Sequence, residues 1–129
     1  PAMRNMTLVK PTPRPERGEL PPGAKALMAE MGAYNDELAR AGALLDAAGL
    51  KPSRDAWRVR WDANGQRVVD GPFAESKELV CGYTLIQARN REEALEWTRR
   101  FPNPMGPGQA AEIEVRPLYE HDLDRLGLL

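Results

Sequence analysis

Large apolar residues recur with a helical period in the first half of the chain. The steps between them are four, three and four residues, which places them on one face of a helix predicted over residues 24–41. These residues are Leu27, Met31, Tyr34 and Leu38. Gly42 interrupts the pattern. The apolar residues that follow are expected to pack against the exit of the helix, and they are Leu44, Leu45 and Leu50.

Strict alternation of apolar and charged residues predicts a strand over residues 56–62, with one buried face and one polar face. Asn64-Gly65 is a two-residue hairpin signal. Residues 66–70 are therefore expected to form the return strand of a hairpin. Three further β segments are predicted at residues 3–10, 82–88 and 112–116.

A second helix is predicted to begin after Asn90, whose side chain can accept a free backbone N–H of the first turn. Glu93 completes a pair that resembles a capping box, and Pro102 ends the helix. Its inner stripe is predicted to consist of Ala94, Trp97, Thr98 and Phe101. Residues 11–23, rich in proline and charge, indicate an exposed loop, and His121 to Leu126 are expected to add a short terminal helix.

The predicted order is strand, helix, two or three strands, helix, strand. This order is typical of an α+β, ferredoxin-like fold, in which an antiparallel sheet carries two main helices on one face. The whole chain of 129 residues, 1–129, is the size of one ordinary domain. The other face of such a sheet stays open unless something covers it.

Composition excludes several classes of partner. The formal net charge is −1, so the chain has no overall basic field for nucleic acid or an anionic membrane. No apolar run approaches the length of a membrane span, and no signal peptide opens the chain. The default expectation is a cytoplasmic protein. Pro1 and Ala2 are expected to be a cloning remnant before Met3, and the alternative is a catalytic N-terminal proline.

The sequence also contains no motif for binding a metal ion or a nucleotide. One cysteine, Cys81, and one histidine, His121, do not make a zinc set. The loop Met105–Gly108 lacks the lysine and serine of a phosphate-binding loop. No cofactor is predicted. Cys81 is interpreted as a buried structural thiol, in preference to a nucleophile.

The segment Asp70–Glu78 concentrates a Gly-Pro turn, an aromatic residue and four charged side chains in nine residues. Six other segments form a pattern with it, at 6–10, 41–45, 49–52, 82–83, 93–97 and 114–117. Together they span nearly the whole chain. On these residues the chain resembles the YCII-related proteins, specifically the bacterial DGPF subfamily.

The resemblance implies a ferredoxin-like fold that pairs two sheets into a dimeric α/β barrel, and hence a homodimer with a cleft near the Asp70-Gly71-Pro72-Phe73 turn. It also implies a link, in some members, to alternative sigma factors of the extracytoplasmic-function type. A histidine and an aspartate have been proposed as an acid/base pair in the wider family. His121 lies outside every matching motif, so the histidine half of that pair does not carry over.

Asp70 is the candidate catalytic residue, as a general base or ligand acceptor beside the cleft. The alternative is that its carboxylate only holds the turn by accepting backbone N–H groups. Phe73 is interpreted as a core or interface anchor. The candidate ligand-binding residues are Arg58, Glu75, Lys77 and Tyr83.

For these four residues, too, two interpretations are open. Lys77 and Arg58 suit contacts with an anion, and Tyr83 suits a hydrogen-bond donor. A solvated loop with weak ion pairs is the alternative for Glu75 and Lys77. Charged strand residues are expected to share the face opposite Trp57, Val59, Ile113 and Val115. In a dimer they would form salt bridges across the sheets, and the alternative is that their arginines recognise a carboxylate or phosphate. These charged residues are Arg58, Arg60, Glu112, Glu114 and Arg116.

Two functions follow as hypotheses. The first is a homodimer that binds a small, polar or anionic organic molecule between sheet and helices, with acid/base chemistry that needs no metal. The second is a non-catalytic accessory or regulatory protein in a sigma-factor circuit. Whether the chain is an enzyme is left open.

Overall fold

The structure, a computed structural model, describes residues 2–120 and 122–129, with the backbone alone at residue 76. The strands are β1 (Met3–Val9), β2 (Leu44–Gly49), β3 (Trp57–Asp62), β4 (Gly65–Asp70), β5 (Gly82–Ala88) and β6 (Ile113–Pro117). The helices are α1 (Pro13–Glu16), α2 (Ala24–Arg40) and α3 (Arg91–Arg99).

Four of these strands form one antiparallel sheet in the order β2-β5-β1-β6. The central strand β1 pairs on both sides, so that Thr7 lies opposite Thr84 of β5 and Val115 of β6. Helix α2 connects β1 to β2, and α3 connects β5 to β6. This is the predicted α+β, ferredoxin-like arrangement.

The second strand of this sheet is β2, which the sequence had indicated only as residues packing the exit of α2. Leu44 does pack against the core cluster that contains Leu38, whereas Leu45 and Leu50 are exposed. The sequence did not predict the strand itself, in which Leu44 pairs with Ile86 and Ala47 pairs with Thr84 of β5. The register shifts between Leu44 and Asp46, so the strand has no regular alternation to recognise. Pairing with a neighbouring strand, rather than local propensity, determines the conformation here.

The predicted strands at 56–62 and 66–70 do form a hairpin, β3–β4, but it is a separate two-stranded sheet. Asp62 pairs with Gly65, so the loop residues are Ala63 and Asn64. Gly65 has a φ of 115°. A turn followed by a glycine at positive φ is a common hairpin connection, and it replaces the expected Asn64-Gly65 loop.

The predicted burial of this hairpin is wrong. Trp57 and Trp61 are 67% and 72% exposed, whereas Arg58 on the opposite face is half-buried. Alternation shows that the two faces of a strand differ, but it does not show which face the rest of the molecule covers. Because the hairpin stands outside the main sheet, Trp57 and Val59 do not face the helices.

The core lies between the four-stranded sheet and the two longer helices. Its buried residues are Tyr34, Leu38, Ala43, Ile86, Ala88 and Ala94. The Tyr34 hydroxyl donates to the Trp97 carbonyl oxygen at 2.8 Å, which fixes α2 against α3. Burial raises the pKa of Tyr34 to about 12. The predicted inner faces of α2 and α3 are therefore confirmed at these positions.

The predicted cap of α3 is found in the structure, whereas the predictions for residues 11–23 and for the C-terminal segment differ from it. The Asn90 side chain accepts the Glu93 N–H at 2.9 Å, which confirms the predicted cap of α3. The loop at 11–23 contains the short helix α1. Residues 123–127 form turns, so the predicted terminal helix is wrong over its described part, and His121 lies outside the described residues.

The sheet face opposite the helices carries a mixture of apolar and charged side chains. Met6 lies opposite Leu85 and Arg116, and residues paired across strands share a face. Arg116 lies 3.6 Å from Glu114 in an exposed ion pair. The alternation of β6 thus places its charges as predicted. Arg58 contacts Glu75 within the chain, and its pairing across the two sheets of a dimer stays a prediction.

Candidate functional site

The Gly71-Pro72 turn is packed directly against the backbone of Ser53. The Gly71 N–H donates to the Ala56 carbonyl oxygen at 2.9 Å, and the Gly71-Pro72 peptide bond is cis. A Cβ atom added at Gly71 would lie 1.8 Å from the Ser53 carbonyl oxygen. Only glycine can come this close to the Ser53 backbone, so packing explains why residue 71 of the Asp70–Glu78 segment is glycine.

Ser53 is buried and ties three distant segments together. Its N–H donates to Oε1 of Glu16 at 3.0 Å, and its hydroxyl donates to Oε2 of the same carboxylate. The hydroxyl oxygen of Ser53, Oγ, also accepts a hydrogen bond from the Phe73 N–H at 3.0 Å. We call this three-residue arrangement the Glu16–Ser53–Phe73 junction. It joins α1, the segment before β3 and the turn after β4.

Sequence reasoning missed Glu16 and gave Ser53 no role. Ser53 belongs to none of the motifs that the sequence singled out, and Glu16 lies in the proline-rich segment that was expected to be an exposed loop. The contact between Glu16 and Ser53 spans 37 residues. No local pattern marks such a pair, because a glutamate in a proline-rich loop ordinarily points into water.

Arg58 and Glu75, two of the predicted ligand-binding residues, do lie together. The Arg58 guanidinium carbon stands 3.9 Å from the centre of the Phe73 ring, and Nη1 lies 3.3 Å from Oε2 of Glu75. The pKa of Glu75 is lowered, first by a hydrogen bond from its own backbone N–H and then by Arg58. Phe73 therefore serves as a platform for a cation at the base of the hairpin.

Arg58 and Phe73 border a depression of about 550 Å³ that we call the hairpin groove, and Glu75 lies outside its lining. Its lining includes Glu16, Ser53, Trp57, Arg58 and Phe73. The charged groups there are of both signs. Lys51 and Arg58 are the cations, and Glu16, Asp55 and Glu78 are the carboxylates. The groove does not carry the positive excess that would select an anion.

The other predicted site residues are dispersed. Asp70 is exposed at the end of β4, opposite Trp57, and does not line the hairpin groove. Lys77 lines a different depression with Lys10, Glu112 and Glu114. The structure thus brings Arg58 and Glu75 together, and it does not bring Asp70 or Lys77 to them.

Tyr83 lies on β5, where its hydroxyl donates to Oδ2 of Asp46 at 2.8 Å. This hydrogen bond is the main reason why the pKa of Tyr83 is raised. The donor that the sequence assigned to a ligand is therefore already engaged by a carboxylate of β2. Tyr83 also belongs to the lining of a second depression, which shares Pro52 with the hairpin groove.

That feature is a cavity of about 460 Å³ between α2 and the sheet, which we call the α2 cavity. Helix α2 contributes Leu27, Met28, Met31 and Asn35 to it, and the loops contribute Leu20, Phe101 and Met105. The hairpin groove and the α2 cavity meet along shared residues. These are Glu16, Leu50, Lys51, Pro52 and Val80.

Polar groups in the α2 cavity are few. The Asn35 Oδ1 atom is buried and has no hydrogen-bond partner among the described residues. Cys81 also lines the cavity, and burial raises the pKa of its thiol. Within residues 2–120 and 122–129, no group of three or more His, Cys, Asp or Glu side chains is placed to hold a metal ion.

In the described part of the chain, no helix has both the length and the apolar character that crossing a bilayer requires. The order of strands and helices defines a ferredoxin-like α+β domain with a cavity between sheet and helices. The model of the YCII-related domain matches residues 3–119. The chain belongs to the YCII-related family.

A relative is known from Rhizobium meliloti (strain 1021), where it is called "Uncharacterized protein R00369". The two sequences are 36% identical over 92 residues, which cover 71% of this chain and 73% of the relative. The family resemblance stated from the sequence is therefore confirmed at the level of the YCII-related domain.

Proposed function

We propose that this protein binds a small organic molecule in the α2 cavity, with the hairpin groove as its polar extension. The observation that carries the proposal is the cavity itself, which combines an apolar lining with a buried, unpartnered amide oxygen on Asn35. Cavities of 300–1,000 Å³ with a few polar groups are typical of small-molecule sites, and about 460 Å³ lies within that range.

A substitution that fills the cavity tests this proposal. Ala47 pairs with buried Thr84, so its side chain points toward the helices, and it lines the cavity. Thermal shifts would be measured with a library of neutral, anionic and cationic metabolites, since a ligand stabilises the native state by mass action. We expect the shifts given by bound compounds to disappear in Ala47→Leu.

The matched control is Ala33→Leu, because Ala33 is exposed on α2 and is not part of the cavity lining. This variant should keep every ligand-induced shift. If no compound shifts the melting temperature of the natural chain, or if Ala47→Leu keeps the shifts, the proposed site is wrong.

We further propose that two copies of the chain pair as a dimeric α/β barrel. Two surfaces support this proposal. One is the sheet face that holds Met6, Leu8 and Leu85, and the other is the hairpin face with Trp57 and Trp61 exposed. Exposed large apolar side chains that cluster on one face mark interaction sites, and on the sheet face they lie beside the charged residues of β6. Light scattering at micromolar concentration should return twice the mass of one chain, and the mass of a single chain would contradict pairing.

Two finer assignments are also proposals. Membership of the DGPF subfamily rests on the sequence Asp70-Gly71-Pro72-Phe73, and a cytoplasmic location rests on composition. The alternative function, an accessory role beside an extracytoplasmic-function sigma factor, stays a prediction. A sigma-factor gene next to the gene for this chain would favour it over small-molecule binding.

A further inference from the structure

The α2 cavity differs from the hairpin groove in the charge of its lining, and the difference bears on the ligand. We propose that the ligand of the α2 cavity is an uncharged, mainly apolar molecule that carries one hydroxyl group. This inference rests on the proposed function, and it replaces the polar or anionic ligand that the sequence had indicated.

The body of the cavity is apolar on both walls. Helix α2 contributes Leu27, Met28 and Met31, and the opposite side contributes Phe101 and Met105. Methionine side chains adapt to ligands of irregular shape. Met28 is 72% exposed and lies at the open side of the cavity, whereas Leu27, Met31 and Phe101 are half-buried. An ionised group placed against these half-buried side chains would lose its hydration without gaining a partner, which is strongly unfavourable.

The ionisable residues of the lining offer no buried partner to a charged ligand. They are Glu16, Lys51, Cys81 and Tyr83. Glu16 is engaged by both polar groups of Ser53, and Tyr83 donates to Asp46. The Cys81 thiol stays protonated at neutral pH because burial raises its pKa. Lys51 is exposed at the boundary with the hairpin groove, where water already solvates it.

Asn35 is the residue with which the hydroxyl group of the ligand would form a hydrogen bond. Its Oδ1 atom is buried without a partner among the described residues, and Asn35 lines the cavity. A carboxamide presents an acceptor oxygen at one end and a donor nitrogen at the other. A hydroxyl both donates and accepts, so it satisfies this side chain in either orientation of the amide.

The size of the cavity sets the size of the ligand. A cavity of about 150 Å³ lined by apolar residues holds one benzene molecule. The α2 cavity, at about 460 Å³, is roughly three times larger. A substituted phenol or a medium-chain alcohol therefore fits as a probe.

The test compares three probes of nearly equal shape: 4-butylphenol, its methyl ether 4-butylanisole, and 4-butylbenzoate. Isothermal titration should show the phenol binding about tenfold tighter than the ether, since the phenol can pair with the buried amide oxygen. The benzoate should bind more weakly than both. A preference for the benzoate, or equal affinity for phenol and ether, would overturn the proposed ligand class.

The variant Asn35→Leu removes the amide and keeps about the same volume. In this variant the phenol should lose its advantage over the ether, while the ether binds at least as tightly as before. The control is Asp36→Leu, because Asp36 is the exposed neighbour and does not line the cavity. It should keep the full discrimination, and circular dichroism would establish that both variants fold.

The outcomes separate this inference from the proposal on which it rests. Binding that Ala47→Leu abolishes, but that favours benzoate, would retain the site and reject the ligand class. Failure of all three probes at millimolar concentration would reject the ligand class as well. The metabolite screen would then decide whether the cavity binds small molecules at all.

Discussion

The four-stranded sheet and the β3–β4 hairpin are both antiparallel, yet they are stabilised by different interactions. In the sheet, β5 lies between two neighbours and carries the buried residues Ile86 and Ala88 against the helices. In the hairpin, Trp57 and Trp61 are mostly exposed, and the defined contacts lie at its base. Burial of apolar side chains stabilises the sheet, whereas the hairpin is stabilised by its turn and by the contacts of Arg58 with Phe73 and Glu75.

This difference shows how hydrophobic patterning should be interpreted. The hairpin has the clearest alternation in the chain, but its apolar face is exposed. Strand β2 has almost no alternation, but it forms an edge of the main sheet. A periodic pattern therefore reports the element type, whereas burial depends on the neighbours that the fold supplies.

The largest effect should come from truncation in the sheet-and-helix layer. Leu38 is fully buried, so Leu38→Ala should reduce the free energy of unfolding by about 3 kcal/mol, because it leaves a cavity in the core. Urea denaturation would measure this change. A loss near zero would mean that the core does not stabilise the domain as the packing indicates.

At the base of the hairpin, Gly71→Ala should cost about 2 kcal/mol, because its Cβ has no room beside the Ser53 carbonyl oxygen. The control is Gly32→Ala in α2, where a Cβ would meet nothing within 4 Å. That variant should be stabilised by up to about 1 kcal/mol, since alanine favours helix. Equal effects of the two variants would contradict the close approach at Gly71.

The Glu16–Ser53–Phe73 junction should contribute less to the free energy of unfolding than Leu38 or Gly71. Glu16→Gln leaves one acceptor oxygen where two are used, so it should cost about 1 kcal/mol in urea denaturation. Glu19→Gln is the control, because Glu19 pairs with Arg17 in an exposed position. The control should show no measurable change. A loss as large in the control would remove any special role for Glu16.

Exposed positions of the hairpin should give the smallest effects on folding. Trp61→Ser should change the free energy of unfolding of a single chain by no more than about 0.5 kcal/mol. If two copies pair through this face, the same variant should shift the mass measured by light scattering toward that of one chain. A large loss of stability in the isolated chain would place Trp61 in a packed environment instead.

The variant Asp70→Asn tests whether Asp70, the candidate general base at the end of β4, has a role in chemistry. The side chain is exposed and makes no hydrogen bond among the described residues, so folding stability should not change. A loss of ligand binding or of turnover in this variant would then support the role in chemistry. A loss of stability alone would support the role in holding the turn.

Much of the fold could be predicted because its signals are local. The apolar stripe of α2 and the cap at Asn90 lie within a few residues, and both are confirmed. The Gly-Pro turn at the end of β4 was likewise visible in the sequence. The pairing of Leu44 with Ile86 was not visible, because it joins residues far apart in the chain.

The candidate site was harder to predict for the same reason. Arg58 and Glu75 were both selected as candidate ligand-binding residues, but their contact with each other was not predicted, because 17 residues separate them in the chain. Asn35 was not selected, because an asparagine inside an amphipathic helix carries no local signal of a cavity. The cavity is lined by residues that lie far apart in the chain, such as Leu20, Asn35 and Met105, so no local pattern indicates it.

The Glu16–Ser53–Phe73 junction has a consequence for how the family can diverge. The Ser53 hydroxyl serves both the Glu16 carboxylate and the Phe73 N–H, so Glu16 and Ser53 depend on each other. The constraint on Gly71 comes from the backbone carbonyl of residue 53, which any amino acid would carry. In an alignment of relatives, residues 16 and 53 should therefore be replaced together, whereas residue 71 should stay glycine whichever residue stands at 53. Asp70, by contrast, should drift freely unless chemistry retains it.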